Sequence, residues 1–317
     1  MSKKALFMCL TMWASLSIAQ EARQWTSADG SRTFEGRMLE YSAEEVRIQR
    51  TADRETFKVP LTSLSESDRS YIAGLLADDA RDVGVKEGPF AEQIASEFVK
   101  AVSAEGLNYQ FFGNPRWQGE DRFPLLIWLH GAGQSGSDNE AQMGKPTKVF
   151  SVEEAQAENP CFILAPQCPS REIGWKDGVE SNLVALISAL VEHLPIDPNR
   201  VYLTGSSMGG SGSWRIAANH PEMFAAVVPL CGGGDPKTAE ALKQIPIWAF
   251  HGDQDEDVPV ERSRTMVEAI RGAGGELIVY SELEGEGHLI AAGVYERQDL
   301  PEWLFAQSRS SSEPVSN

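Results

Sequence analysis

The chain is 317 residues long, enough for one large domain and a small module. Hydrophobic residues make up 42% of it and charged residues 23%, which excludes a disordered chain and a protein of many membrane spans. A formal net charge of −18 repels polyphosphates, so nucleic acid is excluded as a partner.

Lys3 and Lys4 precede a mainly apolar run from Ala5 to Ile18, and Ser17-Ile18-Ala19 supplies small residues for a signal peptidase. The pattern predicts a leader over residues 1–19, cleaved near Ala19, and hence a secreted or periplasmic protein. The run is shorter than the ~20 residues a spanning helix needs. Bulky Phe7 and Met8 before Cys9 make it a poor lipidation site, so no stable membrane anchor is expected. Cys161, Cys168 and Cys231 then remain, an odd number whose spacing matches no zinc pattern.

Residues 22–75 read as a small β module. Val46 and Ile48 alternate with Arg47, Phe57 and Val59 alternate with Lys58, and Leu64-Ser65-Glu66-Ser67-Asp68 offers N-cap chemistry for a helix through Tyr71. The arrangement Gln24-Trp25-Thr26-Ser27-Ala28-Asp29-Gly30, Phe34-Glu35-Gly36, Val59-Pro60-Leu61 and Leu64 to Asp68 resembles the Sla1 homology domain 1 family. The resemblance implies an SH3-like β-barrel with a capacity to bind a protein partner. Charged, Gly-containing residues 76–90 predict a linker.

From residue 91 to 307 the pattern changes. Glu97 to Ser103 and Leu107 to Phe112 flank Ala104-Glu105-Gly106 as an opening hairpin. Short apolar runs follow at Pro124–Leu129, Cys161–Ala165, Val201–Thr204, Ala225–Leu230, Ile245–Phe250 and Leu277–Tyr280. Helical stretches at Ser181–Leu194, Gly212–Asn219 and Val260–Gly272 separate several of them, as in a doubly wound α/β domain with a buried, mainly parallel sheet. Residues 308–317 read as a polar, disordered tail.

The strand at Val201 leads into Gly205-Ser206-Ser207-Met208-Gly209-Gly210, with a helix to follow. A G-x-S-x-G turn there is so tight that small residues must flank the serine, whose hydroxyl is thrust out above the sheet. Ser207 is the candidate nucleophile. A hydroxyl attacks only once a base takes its proton, so an acid and a histidine should follow in the order Ser, Asp, His. Asp253, Asp255 and Asp257 stand at the carboxyl end of a later strand, and His288 follows Gly285-Glu286-Gly287 in a turn before the last helix. The backbone N–H of Met208 and that of Ala132, in Leu129-His130-Gly131-Ala132-Gly133, are candidate oxyanion donors.

Other motifs fall away. The Asp253-x-Asp255-x-Asp257 run lacks the glycine and closing glutamate of a calcium loop, having Val258 and Arg264 there. Gly131-Ala132-Gly133-Gln134-Ser135-Gly136 has the form of a dinucleotide motif, but Ser137-Asp138-Asn139-Glu140 opens no helix. No H-E-x-x-H pair is present, so no metal is expected.

Pro124 to Gly133, Ser137-Asp138-Asn139, Ala165 to Pro169, Trp175, the serine turn and Pro221 to Ala226 resemble the secreted α/β-hydrolase carboxylesterases, in the branch of feruloyl esterases and polyhydroxybutyrate depolymerases, also called prolyl oligopeptidase-like or dienelactone-hydrolase-like. The resemblance spans about residues 95–307. It implies a serine carboxylesterase acting on small-molecule or carbohydrate-linked esters, with no cofactor. On the H-G-x-x-D-x-x-V-P register it implies Asp255 as triad acid, with Asp253 and Asp257 as rivals. Trp175 and His130 are candidate cleft residues, with a core tryptophan and a stiffener of the oxyanion loop as their respective alternatives. A prolyl-oligopeptidase-type peptidase and a non-catalytic binding protein acting through the N-terminal module are the alternatives.

Overall fold

The computed structural model describes residues 14–15, 22–42, 44–80, 88–113 and 121–309. The rest of the expected leader, residues 81–87 of the expected linker and the tail from 310 lie outside the described residues. The chain divides into two compact units, Met1–Asp82 and Val83–Asn317.

The first unit is a small antiparallel sheet with a helix. Strands β1 (Ala14–Ser15) and β2 (Arg23–Thr26) pair with β3 (Thr33–Tyr41), which pairs with β4 (Glu45–Arg50) and that with β5 (Thr56–Pro60). Val46 and Ile48 point into a core with Trp25, Met38, Leu64 and Ile72, as their alternation requires. Helix α1 (Glu66–Ala80) starts where Ser65 Oγ accepts the Asp68 N–H at 3.2 Å. Asp68 also accepts Thr26 N–H at 2.8 Å and Arg23 Nη2 at 2.9 Å, tying β2 to α1. The helix runs on to Ala80, into the stretch that composition reads as linker.

The described residues of the second unit hold eight strands: β6 (Val99–Val102), β7 (Asn108–Phe112), β8 (Phe123–Leu129), β9 (Phe162–Pro166), β10 (Ile196–Ser206), β11 (Ala226–Leu230), β12 (Ile247–Gly252) and β13 (Ile278–Leu283). Their order is β13-β12-β11-β10-β8-β9-β7-β6. β8 to β13 pair in parallel, and the β6–β7 hairpin attaches antiparallel to β9.

Alternation sorts the strands between two cores. In β8, Leu125, Ile127 and Leu129 face one side, while Leu126 and Trp128 face the other. The first side is covered by α4 (Gly178–His193), α5 (Met208–Asn219), α6 (Ala239–Leu242) and α7 (Glu261–Gly272). On the second lie α2 (Lys145–Val149), α8 (Ala291–Tyr295) and α9 (Asp299–Phe305); α3 (Glu153–Glu158) contributes no buried residue. A sheet covered on both faces explains why its strands read as continuous apolar runs. The architecture is that of an α/β-hydrolase. Among the described residues no helix is long and apolar enough to cross a membrane.

Trp25 is fully buried, and its Nε1 donates to Gly36 O at 3.0 Å. Truncation of a buried tryptophan costs about 3–5 kcal/mol, a large part of what so small a core supplies. Trp25→Ala is expected to abolish amide-exchange protection across residues 22–80, read by hydrogen–deuterium exchange.

Candidate active site

β10 ends in a turn that puts Ser207 at φ 59° and ψ −116°, a conformation rare for a residue with a side chain. Two glycines make it feasible by close approach. A Cβ on Gly205 would lie 2.6 Å from Gly209 O, and one on Gly209 would lie 1.9 Å from Leu129 O. The main chains of the serine turn, the start of α5 and the end of β8 therefore touch directly. Ser207 N–H donates to Leu230 O at 2.9 Å, locking the turn to β11. Its hydroxyl is left half-buried at the carboxyl edge of the sheet.

His288 has to reach that hydroxyl from beyond β13. The loop before it folds back over the end of β12, where a Cβ on Gly252 would meet the carbonyls of Glu286 and Gly287 at 2.3 Å. Gln254 N–H donates to Glu286 O at 2.9 Å, and Gly285 N–H donates to Asp253 Oδ1 at 2.7 Å. His288 Nε2 then lies 2.8 Å from Ser207 Oγ, and its Nδ1 lies 2.7 Å from Asp255 Oδ2. The three stretches meet in one hydrogen-bonded line. Of the three acids in the β12 turn, Asp255 is the one bonded to the imidazole; Asp253 braces the His288 loop, and Asp257 lends a backbone N–H.

The Asp255 side chain is wholly buried, while His288 keeps 14% exposure. Burial by itself would raise the Asp255 carboxyl, but the Val258 N–H at 2.8 Å, the His288 ring and the Asp257 N–H at 2.9 Å outweigh it, holding the group below its ordinary value. With the folded-state value depressed, its stabilising contribution is complete above the ordinary carboxylate range and is lost as pH falls through the lower folded value.

Ala132 opens a short 3-10 turn, Ala132–Gln134, directly after β8. A Cβ on Gly131 would sit 3.4 Å from Ser207 Cβ, so this loop abuts the serine. Met208 is the first residue of α5, and the first N–H groups of a helix have no partner within it. Trp175 and His130, read as candidate cleft residues, are instead 2% and 1% exposed. His130 Nε2 accepts the Cys168 N–H at 2.9 Å, and its Nδ1 lies 2.7 Å from Gly131 O, where it donates. Burial lowers its pKa, consistent with an uncharged ring. Trp175 Nε1 donates to His130 O at 3.0 Å. Both side chains form the floor beneath the Ala132 loop.

Sequence reasoning missed Gln167 and His251. Gln167 is buried; its amide donates to Gln134 O at 3.2 Å and Asp138 Oδ1 at 2.8 Å and accepts from Asn139 N–H at 2.7 Å, stapling the loop to the end of β9. The N–H groups of Ala141 and Glu140, with Gln167, hold the exposed Asp138 carboxyl down at about 2. His251 lies beside Asp255, and with Cys231 their ligating atoms fall within 4.8 Å of one another. Asp255 is already bonded, as are both His251 nitrogens, so the cluster is a hydrogen-bonded unit. Cys161, Cys168 and Cys231 are free and buried, and burial pushes the Cys231 thiol up to about 12.

Comparison with known proteins points the same way as this geometry. The model of the dienelactone hydrolase family matches residues 170–288. The matched stretch contains Ser207 and Asp255 and ends on His288. A solved thermostable esterase is similar at 35% identity and a TM-score of 0.63, over 67% of this chain and 63% of that one. The probable feruloyl esterase C of Aspergillus terreus is 29% identical over 44% of this chain and 52% of its own length. Poly(3-hydroxyalkanoate) depolymerase C of Paucimonas lemoignei is 30% identical over 35% of this chain and 28% of its own length. The chain thus spans about half or less of these curated relatives.

The contact between Gly209 and β8 sets a sharp steric limit. A methyl group at 1.9 Å from a backbone carbonyl must displace main chain, not a pliable side chain. Gly209→Ala is expected to lower the melting temperature and to leave any remaining folded protein unreactive toward serine-directed probes, both read on one purified sample.

Proposed function

We propose that this chain is a serine hydrolase that cleaves carboxylic esters through an acyl-enzyme, with Ser207, His288 and Asp255 as its triad. The observation that carries the reading is the imidazole of His288, 2.8 Å from the hydroxyl on one side and 2.7 Å from the buried carboxylate on the other. The thermostable and feruloyl relatives are themselves named esterases, which supports the reading.

Ser207 Oγ attacks the acyl carbon as His288 Nε2 takes its proton. Asp255 holds the ring through Nδ1 and stabilises the cation that forms. The N–H groups of Met208 and Ala132 receive the oxyanion, whose charge develops beside the start of α5. Collapse of the tetrahedral species expels the alcohol, which takes the proton from His288. Water then attacks the acyl-serine, with His288 again as base, releasing the acid and restoring the hydroxyl.

The substrate class we propose is a small or carbohydrate-linked ester. The N-terminal unit is proposed to be an SH3-like barrel of the Sla1 homology domain 1 kind, with a protein as its partner. Residues 1–19 are proposed to be a cleaved export leader.

Ser207→Ala is expected to fold as the parent does, to lose p-nitrophenyl ester hydrolysis by roughly 10⁴- to 10⁶-fold, and to take no fluorophosphonate label. Rates and labelling, followed by mass spectrometry of the modified peptide, check it. Parental hydrolysis in the alanine variant would dispose of the reading.

A further inference from the structure

A carboxylate with no exposed surface needs donors on both oxygens. In Asp255 the Oδ1 atom accepts the N–H groups of Asp257 and Val258 at 2.9 and 2.8 Å. The Oδ2 atom faces two imidazoles. One is His288, with Nδ1 at 2.7 Å; the other is His251, with Nε2 at 3.1 Å.

His251 is the last residue but one of β12 and is fully buried, and the proton path described above does not pass through it. Its orientation follows from its neighbours. Nε2 is flanked by Val258 O at 2.9 Å and Asp255 Oδ2 at 3.1 Å, both acceptors, so the ring carries hydrogen on Nε2. On the other side Nδ1 meets Ser263 Oγ at 2.7 Å, and that hydroxyl lies 2.9 Å from Gly232 O. Ser263, on α7, and Gly232, just after β11, thereby hold the ring from behind.

We infer that His251 is a positioning residue for the triad: its Nε2–H, fixed in direction by Ser263, bonds Val258 O and so holds the turn whose Val258 N–H grips Asp255 Oδ1, and with the ring 3.1 Å from Oδ2 this keeps the carboxylate on the line of the His288 Nδ1–H bond. This rests on the serine-hydrolase reading. An apolar side chain of similar size would fill the space, but the Val258 carbonyl would lose its donor, and the turn that carries the two amides on Oδ1 would be free to shift. Oδ2 could swing, and the imidazole it orients would swing with it. Displacements of about 1 Å at reacting groups cost rate far more than they cost binding.

The test compares His251→Leu, which removes the donor, with His251→Gln, whose amide N–H reaches near the Nε2 position, and Ser263→Ala, which frees the ring. Three readouts are taken: kcat and KM on p-nitrophenyl acetate, the rate of fluorophosphonate labelling at Ser207, and the low-field proton resonance of the His288 Nδ1–H bond. His251→Leu is expected to lower kcat about 10- to 100-fold, with KM within about twofold, and to shift or broaden that resonance. His251→Gln should recover most of the lost kcat, and Ser263→Ala should move kcat and the resonance in the direction of the leucine variant.

A folded leucine variant with parental kcat and resonance overturns the inference, as does a glutamine variant no better than the leucine one. Should the leucine variant fail to fold, parental kcat and resonance in Ser263→Ala overturn it. A wild-type chain that hydrolyses no ester and takes no label strikes the hydrolase reading instead. The resonance alone then decides: unchanged in His251→Leu, or in Ser263→Ala if the leucine variant does not fold, it removes the positioning role too.

Discussion

At the carboxyl edge of the sheet, three main chains pass with no room for a methyl group between them. The carbonyl of Leu129 would lie 1.9 Å from any Cβ on Gly209, and the carbonyl of Gly209 would lie 2.6 Å from any Cβ on Gly205. Much else follows from that contact. It holds Ser207 at a φ of 59°, which projects the hydroxyl out of the sheet instead of along it. The same contact brings the start of α5 and the loop after β8 up against the serine, where the proposed oxyanion donors lie. Backbone donors placed by packed main chain need no reorganisation when negative charge appears.

The other half of the site answers a different constraint, the burial of a charge. Asp255 leaves β12 with no solvent to share its carboxylate, so the fold gathers donors around it from its own turn and from the loop after β13. That loop is the distant element. It crosses back over Gly252, pinned by the Gln254 to Glu286 backbone bond and by the Asp253 carboxylate on Gly285 N–H. Strand order explains the distance to be spanned: β12 and β11 stand between β13 and β10. A loop without side chains at Gly285 and Gly287 can make the crossing close to the sheet.

The sheet was legible where strands are buried on both faces. The Val201–Thr204 run stands out because every residue from 201 to 205 is buried. The strand actually begins at Ile196, through Asp197 and Pro198, where pairing is irregular and no apolar pattern survives. The first turn of α5, Met208-Gly209-Gly210-Ser211, likewise reads as a turn, since glycine is a poor helix former. It is helical because the backbone must run against β8, a tertiary demand invisible in local propensity. Asp78 and Asp79 suggested a linker by composition, yet α1 continues through them.

Within the site, Ser207 and His288 could be read from glycine spacing and chain order. The choice among Asp253, Asp255 and Asp257 needed a family register, because three acids at every second position look alike. Spatially the ambiguity disappears: one carboxylate faces the imidazole, one faces Gly285 N–H, and the third residue supplies an amide. Gln167 was missed because its partners lie 28 to 33 residues away, joined only when β9 ends beside the loop after β8.

Exposure separates the histidines by the work they can do. His130 and His251 are 1% and 0% exposed, and both nitrogens of each already have partners in the protein. Such a ring is a rigid two-ended brace, one beneath the oxyanion loop and one beside the acid. Moving a proton through either would break a bond that the surrounding fold depends on. His288 alone of the three keeps an edge open, at 14% exposure, with Nδ1 fixed by the carboxylate and Nε2 directed at a hydroxyl. A base must both hold its orientation and give up its proton to a departing group. On the proposed mechanism the two buried imidazoles meet the first requirement only, and the placement of His288 in a glycine-rich loop at the rim meets both.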